Sequence, residues 1–485
     1  MRLALNLAPL RARRAAPPER RRLALRSGSA ASLGLLLAGC PGDDNGQDGT
    51  TTLLPTTTAT STIGTTQGPD SEDATSSTQG PDTTGCTPGS SGCTCLPDDT
   101  CNGALVCEGG TCQEPSGTDT TTGDDTTTTG GPGVCGNGMA EAGELCLGTA
   151  TPFAMGAGTI AIAAANFDGD PALDLVAANR DANTVSIRLG AGEGDFGVQS
   201  PFPTGTGPIG IGVGDFDGDG DLDVVTANSG SVDVTMLPGT GTGDFGAPIA
   251  TSLGVMLVPT DLVVVDLEGD GDPDVLVTES TSSVVYVLRT DAGAFLPAAT
   301  YAVGTGPSGL HTADFSGNGV PDLVTSDAAG GTVSLLLGNG FGQFGGASSS
   351  SAGTSPAEVG SGDFNGDGLT DAIVANPSGA ATIRLGNGLG SFGGQIPVPV
   401  EGGPVALVSI DLDMDGNTDV ATVGSDNMIH IHLGNGAGML SPVLAIPVGM
   451  APDDIIAVDL DEDGLLDLVT ANVGSGGVSV ILTDA

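Results

Sequence analysis

One nine-residue pattern recurs seven times between residues 166 and 467 and limits what this part of the chain can fold into. The pattern is D-x-D-x-D-G-x-x-D with substitutions, and its copies lie 48 to 51 residues apart. The copies, here called loops 1 to 7, begin at Asn166, Asp215, Asp266, Asp314, Asp363, Asp411 and Asp459. Such regular spacing indicates repeated copies of one supersecondary unit that pack against their neighbours.

Short β-strand patterns surround every loop. In the second repeat, apolar runs lie at residues 209–213, 224–227 and 232–237. A Gly-rich turn follows, explicit as Gly338-Asn339-Gly340 in a later repeat, and Asn-Gly is typical of a tight hairpin. A fourth strand then completes the unit. Seven units of four strands predict an all-β fold, a seven-bladed β-propeller over residues 148–485.

The two ends of the repeat region complement each other. The last repeat stops after its third strand at residues 478–482, whereas residues 150–156 precede the first strand of the first repeat. Pairing these segments removes two exposed sheet edges, so we expect residues 150–156 to supply the missing fourth strand.

The loops carry oxygen ligands at alternating positions 1, 3, 5 and 9, with glycine at position 6 for a sharp turn. Ca²⁺ takes six to eight oxygen ligands, and this pattern suits it. Three loops hold four aspartates each, at Asp215, Asp217, Asp219 and Asp223, at Asp411, Asp413, Asp415 and Asp419, and at Asp459, Asp461, Asp463 and Asp467. The alternative is that the loops are plain Asp/Gly turns.

The other four loops depart from the pattern by degrees. Their candidate ligands are Asn166, Asp168, Asp170 and Asp174 in loop 1, Asp266, Glu268, Asp270 and Asp274 in loop 3, Asp314, Ser316, Asn318 and Asp322 in loop 4, and Asp363, Asn365, Asp367 and Asp371 in loop 5. Loop 1 has Pro171 at the turn position, and loop 4 has lost two carboxylates. We therefore expect about five to seven calcium ions, with loops 1 and 4 weakest, in a mainly structural role.

The loop, the period and the flanking strands together resemble the FG-GAP/VCBS repeat family, whose members include the integrin α-subunit propeller. The resemblance covers about residues 148–485. It implies a seven-bladed propeller with calcium in the loops on one face.

The start of the chain has the features of an export signal. Residues 1–39 combine an Arg-rich stretch with a short apolar run, and they end in Leu37-Ala38-Gly39-Cys40, which resembles a bacterial lipobox. In that family the cysteine is acylated, so Cys40 is the predicted lipid site; the alternative is an ordinary secretory signal. Residues 40–85 and 113–133 are rich in Thr, Ser and Gly and are predicted to be flexible tethers.

The cysteines support export, since eight remain once Cys40 is assigned to the lipid. Residues 86–112 contain six cysteines and too little apolar content for a core, which predicts three disulfides of undetermined pairing. Residues 134–147 resemble a CGNG cysteine-rich repeat, from which we infer a Cys135–Cys146 bridge. The six cysteines of the first segment are Cys86, Cys93, Cys95, Cys101, Cys107 and Cys112.

The charge balance excludes one class of partner. Beyond residue 39 there are 58 Asp and Glu against four Arg, and the chain has no Lys. Phosphate backbones require clustered cations, so nucleic-acid binding is excluded, and the membrane is contacted only through the lipid. His430 and His432 alternate on a strand and face the same side, which is more typical of a partly buried pair than of two metal ligands.

No catalytic constellation stands out in the sequence. We therefore expect a calcium-binding lipoprotein of the bacterial cell envelope, on the outer membrane or cell surface, that binds or adheres to a surface protein or a glycan. The alternatives are a propeller enzyme, such as a polysaccharide lyase or hydrolase, and a purely structural envelope protein.

Overall fold

The computed structural model describes residues 145–483 and three short strands nearer the start of the chain, Leu25–Arg26, Val106–Glu108 and Thr111–Gln113. All regular structure in these residues is β. The part of the chain so described contains no helix long and apolar enough to cross a membrane. The predictions for the leader, Cys40, the tethers and the six clustered cysteines fall outside the described residues or concern side chains that are not described.

Seven four-stranded antiparallel sheets form the blades of a propeller, as the sequence predicts. From inner to outer strand, blades 1 to 3 are Thr159–Ala165, Asp174–Asn179, Thr184–Arg188 and Ser200–Pro203; Pro208–Gly214, Asp223–Asn228, Asp233–Leu237 and Ile249–Ser252; and Pro259–Val265, Asp274–Glu279, Val284–Leu288 and Ala299–Ala302. Blades 4 and 5 are Pro307–Ala313, Asp322–Asp327, Thr332–Leu336 and Ser348–Ser351; and Val359–Gly362, Asp371–Asn376, Ala380–Gly386 and Phe392–Pro399. Blades 6 and 7 are Pro404–Ile410, Asp419–Gly424, Met428–Gly434 and Leu440–Pro447; and Pro452–Val458, Asp467–Asn472, Gly477–Ile481 and Thr151–Ala154.

Both ends of the repeat region meet in blade 7. Its outer strand, Thr151–Ala154, pairs antiparallel with Gly477–Ile481, and Phe153 lies opposite Val478. The inner strand of each blade packs against that of the next, and the inner strand of blade 7 packs against that of blade 1. The ring is therefore closed, and the predicted joint is confirmed.

Burial falls from the second strand of each blade to the outer strand. The second strands are buried along their whole length, whereas outer strands such as Ile249–Ser252 are largely exposed. Seven apolar clusters lie between the seven pairs of neighbouring blades. Because a second strand is covered on both faces by such clusters, its sequence reads as a nearly continuous apolar run, as in Asp174–Asn179.

The remaining strands are short. Gly190–Gly192 pairs with Asp195–Phe196 and Thr290–Asp291 with Ala294–Phe295, both in the turns that follow third strands. Leu25–Arg26 pairs with the inner strand of blade 7. In a separate unit, residues 35–128, Val106–Glu108 and Thr111–Gln113 form an antiparallel hairpin.

The closing strand is held by blade 1 as well as by blade 7. The ring of Phe153 packs edge-on against Phe196 with centroids 5.2 Å apart, and the guanidinium of Arg188 lies 5.8 Å from the Phe153 centroid. Arg188 Nε also donates to the carbonyl oxygen of Ala154 at 2.8 Å. Packing across the joint thus depends on Phe153.

We expect the substitution Phe153→Asp to open the joint and to lower the free energy of unfolding by about 3 kcal/mol or more. Phe202→Asp is the matched control, because Phe202 occupies the same position of the outer strand of blade 1 and packs edge-on against Phe245. Denaturant unfolding should show the larger loss for Phe153→Asp. Equal losses in the two variants would contradict a special role for the joint.

Candidate metal sites

The seven acidic loops connect the inner strand of each blade to its second strand, so all seven lie at the same end of the propeller. Each loop reverses the chain through residues with positive φ. Position 6 is glycine with φ between 80° and 97° in six loops, and loop 1 has Pro171 instead. Position 4 also has positive φ in all seven loops, between 58° and 82°, even where it is Met414 or Glu462. Sequence reasoning noted the turn at position 6 and missed the one at position 4, which the recurrent D-G-D triplet could have indicated.

The ninth residue of the loop is a buried aspartate in every blade, at most 1% exposed. One carboxylate oxygen accepts the backbone N–H of loop position 2, at 2.7 to 3.2 Å in the seven blades. The other oxygen accepts a backbone N–H at the end of the third strand or just after it, at 2.7 to 2.9 Å. This aspartate therefore ties the loop to the second and third strands before any metal is considered.

Sequence reasoning assigned the ninth residue to the metal shell alone and missed this bridging role. A signal was present in the sequence. Position 9 is Asp in all seven loops, including loop 4, whereas positions 1, 3 and 5 vary. A residue that persists where the metal ligands around it are lost has a further structural reason to be there.

Burial raises the pKa of the ninth aspartates, because desolvation disfavours the charged carboxylate. The pKa of Asp174, Asp223 and Asp371 rises to about 6, partly offset by the two backbone N–H donors. The pKa of Asp419 and Asp467 rises to about 7 for the same reason. Neighbouring loop carboxylates raise these pKa values further, so a cation in the loop would stabilise the charged form.

Three loops bring three carboxylates together. In loops 2, 6 and 7, the side chains at positions 1, 3 and 9 each place an oxygen within 4.8 Å of the other two. These groups are Asp215, Asp217 and Asp223; Asp411, Asp413 and Asp419; and Asp459, Asp461 and Asp467. Among the described residues, no other three Asp, Glu, His or Cys side chains meet this distance. The three loops are those whose sequences carry four aspartates.

The side chain at position 5 lies outside these three-carboxylate groups and forms a hydrogen bond within the loop. Its side-chain oxygen accepts the N–H of position 7, as in Asp219 with Asp221 at 2.8 Å and Asp463 with Leu465 at 2.8 Å. Position 1 instead accepts N–H groups from inside the turn, since both Gly218 and Gly220 donate to Asp215 at 2.9 Å. The loop backbone therefore orients its own acidic side chains.

The four other loops lack one or more carboxylates of this cluster or use them elsewhere. Asn365 in loop 5 and Asn166 in loop 1 keep an oxygen without the charge. Ser316 in loop 4 donates its hydroxyl to Asp314 at 3.3 Å. Glu268 in loop 3 accepts a hydrogen bond from Arg289 Nη1 at 2.7 Å. The donor sets of loops 2, 6 and 7 therefore suit a hard divalent cation best.

The histidines do not join a metal cluster. His430 Nε2 lies 2.8 Å from Asp426 Oδ2, and His311 Nε2 lies 2.8 Å from Ser361 Oγ. Burial lowers the pKa of His432 to about 4, so this ring is neutral at physiological pH. In the described part of the chain, no group of three potential ligands includes a histidine.

We expect Asp322→Ala to lower the free energy of unfolding by about 2 to 5 kcal/mol even in chelator. It leaves the N–H groups of Phe315 and Gly338 without their buried acceptor. The control is Asp314→Ala in the same loop, whose carboxylate serves exposed N–H groups and should cost less than half as much. Similar losses for both variants in urea unfolding would refute the bridging role.

The sequence profile of the FG-GAP-like repeat matches five stretches, residues 166–226, 215–277, 266–325, 363–422 and 411–470. Together they contain all seven loops and more than half of the chain. A search of curated proteins finds no match. Among solved structures, the BP39L lectin from Burkholderia pseudomallei is 18% identical, with a TM-score of 0.52 over 69% of this chain and 97% of the lectin. BBS1N, in its complex with ARL6DN, is 14% identical with a TM-score of 0.50 over 70% and 96%. Likeness at these identities shows the fold alone, whereas the repeat matches show the family: the chain belongs to the FG-GAP-like repeat family.

Proposed function

We propose that the chain is a calcium-dependent binding protein of the bacterial cell envelope, whose propeller binds a surface protein or a glycan. The observation that carries the proposal is the convergence of three aspartates in each of loops 2, 6 and 7. Three carboxylates within 4.8 Å repel one another, and a bound cation converts that repulsion into attraction.

Calcium fits these loops better than a softer metal. The clustered ligands are carboxylate oxygens, with no Cys or His among them. Oxygen donors favour Ca²⁺ and Mg²⁺ over zinc or copper. Ca²⁺ also tolerates irregular geometry, which a nine-residue loop with two positive-φ turns provides more readily than the strict octahedron that Mg²⁺ requires.

Binding is favoured over catalysis by the kinds of side chain available. The chain has no Lys and no Cys after Cys146. The three histidines lie in the blades, with His311 and His432 about 1% exposed and His430 beside Asp426. The loop carboxylates serve the fold and the proposed ions. A rigid ring with seven loops on one face is a suitable platform for a partner.

Display at the cell surface rests on the sequence of the leader. A lipid on Cys40 would hold the chain at the membrane, and residues 40–85 and 113–133 would give the propeller reach. Lipid is the sole membrane contact in this proposal, because 58 acidic residues beyond residue 39 disfavour direct contact with anionic lipid.

Removing calcium should lower the melting temperature of the propeller strongly, since clustered carboxylates are then uncompensated. Native mass spectrometry of the full chain should count bound calcium, and Asp217→Asn, Asp413→Asn and Asp461→Asn should each lower the calcium affinity of one loop, because each removes a ligand charge while keeping an oxygen. Glu193→Gln is the control, because it removes the same charge from an exposed turn outside the loops. An unchanged melt in chelator with no bound ion would refute the calcium assignment.

The binding proposal predicts a saturable ligand that depends on the ions. The full chain, immobilised through its N-terminal region, should retain a cell-surface protein or an arrayed glycan in calcium and release it in chelator. The triple variant Asp217→Asn, Asp413→Asn, Asp461→Asn should reduce retention at least tenfold. If chelator and the triple substitution both leave retention unchanged, ligand binding does not depend on the ions. If no saturable ligand is found at all, a purely structural envelope protein is favoured.

A further inference from the structure

Blade 3 differs from the other blades at the residue that follows its third strand. This residue precedes the N–H donor to the ninth aspartate and is apolar in six blades: Leu189, Pro238, Leu337, Leu385, Leu433 and Leu482. In blade 3 it is Arg289, one of only four arginines beyond Cys40. The loop of the same blade has the other exception, since position 3 is Glu268 where five loops have Asp or Asn and one has Ser.

The two exceptional residues contact each other. Arg289 Nη1 donates to Glu268 Oε1 at 2.7 Å, and the Glu268 side chain is 18% exposed. Glu268 also lies beside Asp274, the ninth residue, since burial and the neighbouring carboxyl of Glu268 raise the pKa of Asp274 to about 7. The guanidinium therefore lies beside positions 3 and 9, two of the three positions that converge in loops 2, 6 and 7.

A turn of the neighbouring blade packs against this ion pair. Gly342, in the turn after the third strand of blade 4, approaches so closely that a Cβ there would overlap both Arg289 Cδ and Glu268 Oε1. The turn of blade 4 therefore covers one side of the pair and restrains its geometry, while the Arg289 side chain remains 39% exposed.

We propose that Arg289 is a built-in cation that takes the place of a metal ion in the loop of blade 3. A Ca²⁺ ion must approach its carboxylate oxygens to about 2.3–2.6 Å. At Glu268 it would meet the guanidinium, which already occupies Oε1 and repels a second cation. Loop 3 is thus folded without calcium, and this inference rests on the proposed binding of calcium by the fully acidic loops.

If Arg289 replaces the ion, the folding of loop 3 does not depend on metal. In chelator, hydrogen exchange followed by mass spectrometry should show residues 266–274 at least tenfold more protected than residues 215–223 of loop 2. Arg289→Leu, which installs the residue of five other blades, should abolish that difference. Arg180→Leu is the control, because it removes an exposed ion pair with Asp181 outside the loops.

The same variants should change the number of bound ions. The double variant Arg289→Leu, Glu268→Asp gives loop 3 the four aspartates of loop 2 at positions 1, 3, 5 and 9 and should bind one calcium more than the wild type in native mass spectrometry. Arg180→Leu should leave the count unchanged. An unchanged count in a double variant that melts like the wild type would overturn the inference.

The two proposals fail in different ways. If the wild type binds no calcium and Asp217→Asn changes nothing, the proposed function fails, and the exchange comparison in chelator still decides the role of Arg289. If the wild type binds calcium but loop 3 exchanges as fast as loop 2 in chelator, the role of Arg289 fails alone.

Discussion

In each blade the structure depends on one buried carboxylate that accepts two hydrogen bonds from backbone N–H groups. In blade 2, Asp223 joins the N–H of Phe216 in the loop to the N–H of Gly239 beyond the third strand. An aspartate suits this place because each of its two oxygens can serve one donor, whereas Asn offers only one acceptor. The same burial raises the pKa of the carboxyl to about 6, so the group that organises the blade also benefits from a nearby cation.

Most of the fold could be predicted from the sequence, because the strand patterns define a blade and the repeat number defines how many blades form the ring. A period near 49 residues with four strand patterns gives a blade, and seven blades close only if the first segment joins the last repeat. The pairing of Phe153 with Val478 confirms this. The sequence does not show how the loops contact the next blade. Gly243 N–H, for example, donates to Phe167 O across the boundary between blades 2 and 1 at 3.1 Å.

The candidate sites could be predicted only in part. Alternating aspartates single out loops 2, 6 and 7 as the most complete in sequence, and these are the loops whose carboxylates converge. The contact of Arg289 with Glu268 could not be predicted, because 21 residues and two strands separate them. From the sequence, an arginine that follows a strand is expected to lie on the surface. The strand pairing within blade 3 is what places Arg289 beside Glu268 of loop 3.

The blades therefore differ in how they reduce the repulsion among the carboxylates of their acidic loops. Loops 2, 6 and 7 each bring three carboxylates together, Glu268 of loop 3 pairs with Arg289, and loops 4 and 5 replace charge with neutral oxygens at Ser316 and Asn365. The three carboxylate clusters are not evenly placed, because blades 6 and 7 are neighbours whereas blade 2 lies two blades beyond blade 7, where the two ends of the repeat region meet. Blade 7 is the only one of the seven blades built from both ends, so it loses the most chain entropy on closing. A cation bound in loop 7 would thus stabilise the one blade whose closure joins both ends of the repeat region, while loops 3 to 5 reduce their charge repulsion through Arg289, Ser316 and Asn365.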